Sequence, residues 1–257
     1  MIIHVREKRT GKDAILRVRD AVLSIEARWL KPERVGAVTF PSRADAVADA
    51  EKRLHKWLAR GRFELLDRND DDTWLNRMHR GERVARRIKA ETNPATGVVG
   101  EADASWGAPH PEESLTWTEQ ALGFLLPPAV RNLLRTGVFG AWAKVSRAGN
   151  SMSTSIQVGN VVTYRFEDGW LRGLLDERLP PLRAQVAYRG PVMHVGRLPV
   201  IGGKDDAQGA FLLPDGGVLL VEHGLEVGRL AGVEAFAEHA LNVFEEACDS
   251  ALSWVQG

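Results

Sequence analysis

Cysteine is nearly absent. Cys248 stands alone among 257 residues, and one thiol cannot close an intrachain disulfide, so the fold needs no oxidising compartment. Long apolar runs are missing too. No stretch approaches the ~20 residues that a membrane-crossing helix requires. The opening residues, MIIHVREKRTGKD, carry charge where a signal peptide has its apolar core. The expected location is cytoplasmic, with no membrane partner. Net charge is also missing, since 34 Lys+Arg balance 34 Asp+Glu. Metal-ligand spacing is absent: His4, His55, His79, His110, His194, His223 and His239 are scattered, with no His-x-x-x-His or Cys/His set. No metal and no cofactor are therefore expected.

Catalytic signatures are equally sparse. Gly202-Gly203-Lys204 lacks the earlier glycine of a phosphate loop, and Asp205 follows where Ser or Thr belongs. Gly149-x-Ser151 has Ser153 where a nucleophile elbow has its second glycine. His194 in an apolar strand and Cys248 in an apolar helix stripe read as core residues. No catalytic residue is assigned and a non-enzymatic protein is expected. Groups converging from distant positions would escape this reading.

What the chain does have is an uneven distribution of charge. Residues 1–92 hold 22 Lys+Arg against 15 Asp+Glu, and residues 93–257 hold 12 against 19. A surplus of seven positive charges followed by seven negative ones fits two units with different partners. A basic half suits nucleic acid or acidic protein. The alternative is that the two halves dock on each other.

The N-terminal residues alternate with a period of two. Ile2 to Arg6, Ile15 to Arg19, Val22 to Trp29 and Ala37 to Phe40 read as an antiparallel meander of short strands. Ser42 then caps a helix whose Ala46, Val47, Ala50, Leu54, Trp57 and Leu58 share one face, and Gly61 ends it. Phe63 to Leu66 returns as a strand. Over residues 1–66, Phe40, Ser42, Ala46, Lys52 and Gly61 resemble the helix region of WGR domains. After Trp29 the chain reads Leu30-Lys31 where that family has Gly-Arg. The resemblance implies a β-meander with one helix and a nucleic-acid partner. Lys31 keeps a positive charge there but not the planar fork of Arg.

Residues 67–112 read as a basic helix and a linker. Asp67 to Asp72 is a polar run without the glycine and distal glutamate of an EF-hand, so a solvated loop is expected. Trp74 to Lys89 is helical and basic, and a solvated face is the simpler account of its charges. The segment through Glu101, Asp103, Gly107, Pro109 and Pro111 looks like an interdomain connection.

In residues 113–257 the run from Glu119 to Gly137 predicts a helical hairpin. Pro127-Pro128 opens its second helix, Ala129, Val130, Leu133 and Leu134 form its stripe, and Gly137 ends it in a left-handed conformation. SRAGNSMSTS reads as a polar loop, Trp170 to Leu179 as a short helix, and Leu198 to Ile201 as a strand. Ala210 to Glu222 folds about Pro214-Asp215-Gly216-Gly217 as a hairpin, a short strand covers Leu225 to Leu230, and Val233 to Val255 forms the last helix. Leu122-Gly123-Phe124-x-Leu126-Pro127, Arg131, Leu134 and Gly137 resemble the opening of SMI1/KNR4 (SUKH) domains, and Glu234-Ala235-Phe236 in the tail is similar to their last helix. That family implies an α+β binding module, many of whose bacterial members are immunity proteins against toxins.

The expected fold class is α+β: an N-terminal antiparallel β-meander with one helix, then a mixed α/β SUKH-like domain with a C-terminal helix. The expected partner is a protein, with a toxin domain as the form the SUKH resemblance adds. It would meet Asp205, Asp206, Asp215, Glu222 and Glu226, since an acidic half suits a basic nuclease. The alternative is nucleic acid, bound through Lys31, Arg34, Arg83, Arg86 and Arg87.

Overall fold

The computed structural model describes residues 1–27, 36–176, 178–198 and 208–256 of the chain. Lys31, Arg34, the Trp29-Leu30-Lys31 signature, Gly202-Gly203-Lys204, Asp205, Asp206 and most of the strand expected over Leu198 to Ile201 lie outside them.

Alternation in the first residues builds one sheet. Strands β1 (Ile2–Glu7), β2 (Asp13–Arg19), β3 (Val22–Ala27), β4 (Gly36–Thr39) and β5 (Phe63–Asn69) lie in the order β4-β3-β2-β1-β5, all pairs antiparallel. Ile3, Val5, Leu16, Val18, Leu23 and Ile25 point to one face and bury against α1 (Arg43–Leu58) through Ala46, Ala50 and Leu54. The Ser42 side chain accepts the Asp45 N–H at 3.2 Å, as an N-cap should. Ile2, His4, Ile15 and Arg17 point to the opposite face, and they too are buried. That second burial requires a partner layer, which the rest of the chain supplies.

The partner layer begins with α2 (Thr73–Glu91). Trp74, Leu75, Met78, Gly81, Val84, Ala85 and Ile88 form a buried stripe at i, i+3/i+4 spacing. Leu75 packs with Ile2 and Ile15 of the first sheet, and Trp74, Met78 and Ile88 enter the core of the second. The basic helix is therefore amphipathic and built into both halves, rather than a solvated connector.

The second sheet has nine strands. They are β6 (Val98–Trp106), β7 (Phe139–Arg147), β8 (Asn150–Glu167), β9 (Trp170–Gly173), β10 (Leu182–Arg183), β11 (Gly190–Arg197), β12 (Gly209–Leu212), β13 (Val218–Glu222) and β14 (Leu225–Leu230). Among the described residues its ladders are antiparallel, and an isolated bridge, Gln185 to Leu225, is parallel. Helices α2, α3 (Glu112–Leu122), α4 (Pro128–Thr136) and α5 (Val233–Gln256) contribute to its main core with Phe139, Val158, Met193, Phe236 and Phe244. A smaller core, around Phe166, Leu171, Val192 and Phe211, is closed by Ala184 and Val186. The chain is α+β, with an N-terminal meander and a C-terminal helix as expected.

Four local expectations are corrected. The connection expected at Glu101 and Asp103 is strand β6, paired with β7 along its whole length. SRAGNSMSTS is no loop: it is the end of β7, a two-residue turn and the start of β8. Trp170 to Gly173 is a strand that returns against β8, because Leu171 buries in the smaller core while Asp168 and Gly169 take positive φ at the turn. The Asp67 to Asp72 run is not merely solvated either. Asp67 pairs with Arg135 of α4 at 2.7 Å, and Asp71 accepts the Thr73 N–H at 2.8 Å.

The α3–α4 hairpin forms where predicted. Glu119 holds it, accepting the Leu126 N–H at 2.8 Å and pairing with Arg131. Burial pushes the Glu119 carboxyl up, but Arg131 and the Leu126 amide outweigh it and leave the group below its ordinary value. The left-handed stop falls at Gly123, with φ 74° and ψ 16°. Gly137 differs from expectation: its φ of 119° comes with an extended ψ of 178°, and a Cβ there would run into the Gly107 carbonyl oxygen. Glycine is needed at 137 for close approach as well as for backbone angle.

Phe139 is the residue on which these layers converge. It is fully buried, its ring stands 5.2 Å from that of Trp106, and it touches α2 at Gly81. Phe139→Ala is expected to cost about 3–5 kcal/mol, read as a lowered urea midpoint. A loss under about 1 kcal/mol would mean that α2 does not close over β7 as described.

Candidate interaction surfaces

The acidic candidates divide into two places. Asp215 sits in the turn between β12 and β13, where it accepts the Gly217 N–H at 3.0 Å and pairs with Arg229. The Gly217 amide, followed by Arg229, holds its carboxyl below the usual range. That is turn chemistry, with the charge already answered. Glu222 and Glu226 lie at the other end of β13, where Glu222 is opposite Leu225 and Glu226 is opposite Val221. Glu226 also accepts the Ala187 N–H at 3.4 Å. Between and beside these two carboxylates, Leu225 is 49% exposed and Val227 is 54% exposed.

The basic candidates on α2 also divide. Arg87 turns to α5 and pairs with Asp249, with Glu91 3.9 Å away. Arg83 and Arg86 remain in solvent. Arg86 donates to the Glu82 carbonyl at 3.3 Å and comes within 3.9 Å of the Glu82 carboxylate, and Arg83 has no ion pair among the described residues. Arg87 is one rung of a ladder between α2 and α5. Arg77 meets Glu234 at 3.5 Å, and Arg80 meets Glu238 at 2.8 Å and also Glu245. The positive surplus of residues 1–92 is thus partly spent on acids of α5.

The seam between the sheets gathers further titratable groups. Arg17, 3% exposed, pairs with Glu26, donates to the Gly107 carbonyl at 2.6 Å and stands 5.9 Å from the Trp106 ring centre. His4 lies 3.1 Å from Asp13 and is almost wholly buried. Burial pushes His4 down, against the opposing pull of Asp13, and it pushes His110 down as well. Of these groups, Arg17 ties the halves together, through the Gly107 carbonyl and the Trp106 ring.

His194 is structural. Its ring packs 5.3 Å from Phe211, and Asn160 Nδ2 lies 2.8 Å from its Nδ1, which suits a neutral ring with the proton on Nε2. Burial pushes its pKa down to about 4, with Arg197 adding to the depression. Cys248 is buried in the core, and burial pushes its thiol up to about 12. Among the described residues no group of three or more His, Cys, Asp or Glu could hold a metal, and no helix is long and apolar enough to cross a membrane.

One feature escaped the sequence reading altogether. A groove of about 440 Å³ runs between α5, at Val243, Ala247 and Ala251, and the start of β8, at Met152 to Ser155. Trp142 and Met152 at its rim are 43% and 40% exposed. The available signal was the alternation of Met152, Thr154 and Ile156 with serines, just after the Gly149-Asn150 turn pair.

Comparison with protein-family models, curated proteins and solved structures finds no match to the chain.

The His194 geometry carries a pH prediction. The folded state disfavours the protonated ring, so below the unfolded value of 6.5 the unfolded chain takes up the proton first. Stability is expected to fall as pH drops from 6.5 toward 4, by on the order of 3 kcal/mol from this group. Urea midpoints at stepped pH should show that fall in the wild type and a shallower one in His194→Gln, where His4 and His110 still titrate. An unchanged slope in the variant would place the effect elsewhere.

Proposed function

We propose that the protein is a non-enzymatic macromolecule-binding protein that receives a protein partner on the acidic β13–β14 end of its large sheet. The observation that carries this reading is the pairing of half-exposed Leu225 and Val227 with Glu222 and Glu226. An apolar patch rimmed by charge of one sign is a common form of protein interface, in which burial of the centre supplies affinity and the rim steers and selects. Carboxylates there, on a half with seven surplus negative charges, favour a basic partner. The SUKH resemblance adds the finer form: neutralisation of a toxin, with the acidic surface covering a basic nuclease.

A second reading rests on Arg83 and Arg86, which stand in solvent one turn apart on α2. They suit a phosphate backbone, and their binding would fall steeply with added salt.

The test is a pull-down from the source cell's lysate with the full chain, with and without nuclease, using wild type, Leu225→Lys/Glu226→Lys and Arg83→Glu/Arg86→Glu. A stoichiometric protein that survives nuclease and is lost only from the first variant is the expected result. Recovery of nucleic acid, lost only from the second variant, would replace the first reading with the second. Capture by neither would remove both.

A further inference from the structure

Strand β8 is 18 residues long, but its two sides are not equally used. On one side β7 pairs with Asn150 to Val158. On the other, β11 pairs only with Gln157 to Phe166, its Arg197 opposite Gln157. Over residues 150–156 that second side has no strand beside it among the described residues.

The turn fixes which backbone groups face this open side. Ala148 and Gly149 both take positive φ, 51° and 83°, the pattern of a two-residue primed turn. Such a turn makes Arg147 and Asn150 a hydrogen-bonded pair, so Met152 and Thr154 also bond inward to β7. The N–H and C=O groups of Ser151, Ser153 and Ser155 must then point outward. Their row of donors and acceptors is a template for another strand.

Other sheet edges are guarded. Strand β5 carries Glu64 and Arg68 and a bulge in its pairing with β1; β6 carries Glu101 and Asp103; β14 carries Glu226, Arg229 and a bulge. Strands β4 and β10 are four and two residues long. Residues 150–156, Asn-Ser-Met-Ser-Thr-Ser-Ile, have neither charge nor proline. The run Ser151-Met152-Ser153-Thr154-Ser155 also reads nearly the same in both directions about Ser153. That symmetry suits an isologous contact, in which one patch meets itself.

We propose that this edge is a self-association site. Two copies pair antiparallel about a two-fold axis at Ser153, Ser153 facing Ser153 and Ser151 facing Ser155 of the second copy. Small hydroxyl side chains meet on the outer face. On the inner face the second copy's exposed Met152 meets the groove beside Ala247 and Ala251, where no charged side chain lines the wall among the described residues. An uncharged strand meeting its own uncharged copy incurs no repulsion, and pairing removes Met152 from water. The acidic surface of the preceding reading lies on β13 and β14 and remains free.

The test is sedimentation equilibrium of the full chain across a concentration series, with three variants. Ser153→Pro removes an outward N–H without touching a bond to β7. Met152→Lys places charge on the edge. Leu225→Lys alters β14 and serves as control. A wild-type dimer is expected, monomeric in both edge variants with unchanged near-ultraviolet circular dichroism and still dimeric in the control. In the wild type, amide exchange at Ser151, Ser153 and Ser155 should slow as concentration rises. A wild type that stays monomeric, amide exchange independent of concentration, or a dimer that survives both edge variants would overturn the proposal. So would a monomer that takes up an extended peptide at this edge instead.

Discussion

A Cβ on Gly81 would lie 2.9 Å from the Phe139 ring and 3.2 Å from a methyl of Leu241. The close approach that glycine permits seats α2 against β7 and α5 at once. Once seated, α2 presents Leu75 to Ile2 and Ile15 on one side and Met78 and Ile88 to the large sheet on the other. The arginines on its flank then meet the α5 carboxylates, each in partly exposed positions where an isolated ion pair contributes little. Apolar packing supplies the stability of this helix pair, and the charge ladder supplies its register.

The parts legible in the sequence are those whose cues are local. Ser42 with the Ala46, Ala50 and Leu54 stripe predicts α1, Pro214 to Gly217 predicts the β12–β13 hairpin, and the Phe236 to Leu252 stripe predicts α5. What was hidden depends on partners distant in sequence. Strand β6 reads as a connection because its inward residues are small: Ala102 faces Ala143 and Ala104 faces Ala141. Those alanines, with Gly100 against Thr92, are what let α2 lie close, so tight packing itself removed the hydrophobic signal. The Ser-rich start of β8 was hidden for a related reason, its strand character residing in backbone pairing with β7.

The candidate surfaces were legible as charge but not as availability. Composition identifies Asp215 and Arg87 as readily as Glu226 and Arg83. Only the folded chain separates them, by giving Asp215 to Gly217 and Arg229 and Arg87 to Asp249. The charge imbalance between the two halves is in part an internal matter, with Arg77, Arg80 and Arg87 of α2 paired to acids of α5.

The seam around Arg17 has a consequence for how the molecule can be divided. The chain passes from the first sheet to α2 in the three residues 70–72, which invites a cut there. Such a cut would bare Ile2, Ile15, His4 and Arg17 on one piece and Leu75 and Trp106 on the other. One piece would expose apolar side chains and an arginine that has lost its carbonyl acceptor and its indole neighbour, and the other an apolar hollow. Each half is the inner wall of the other.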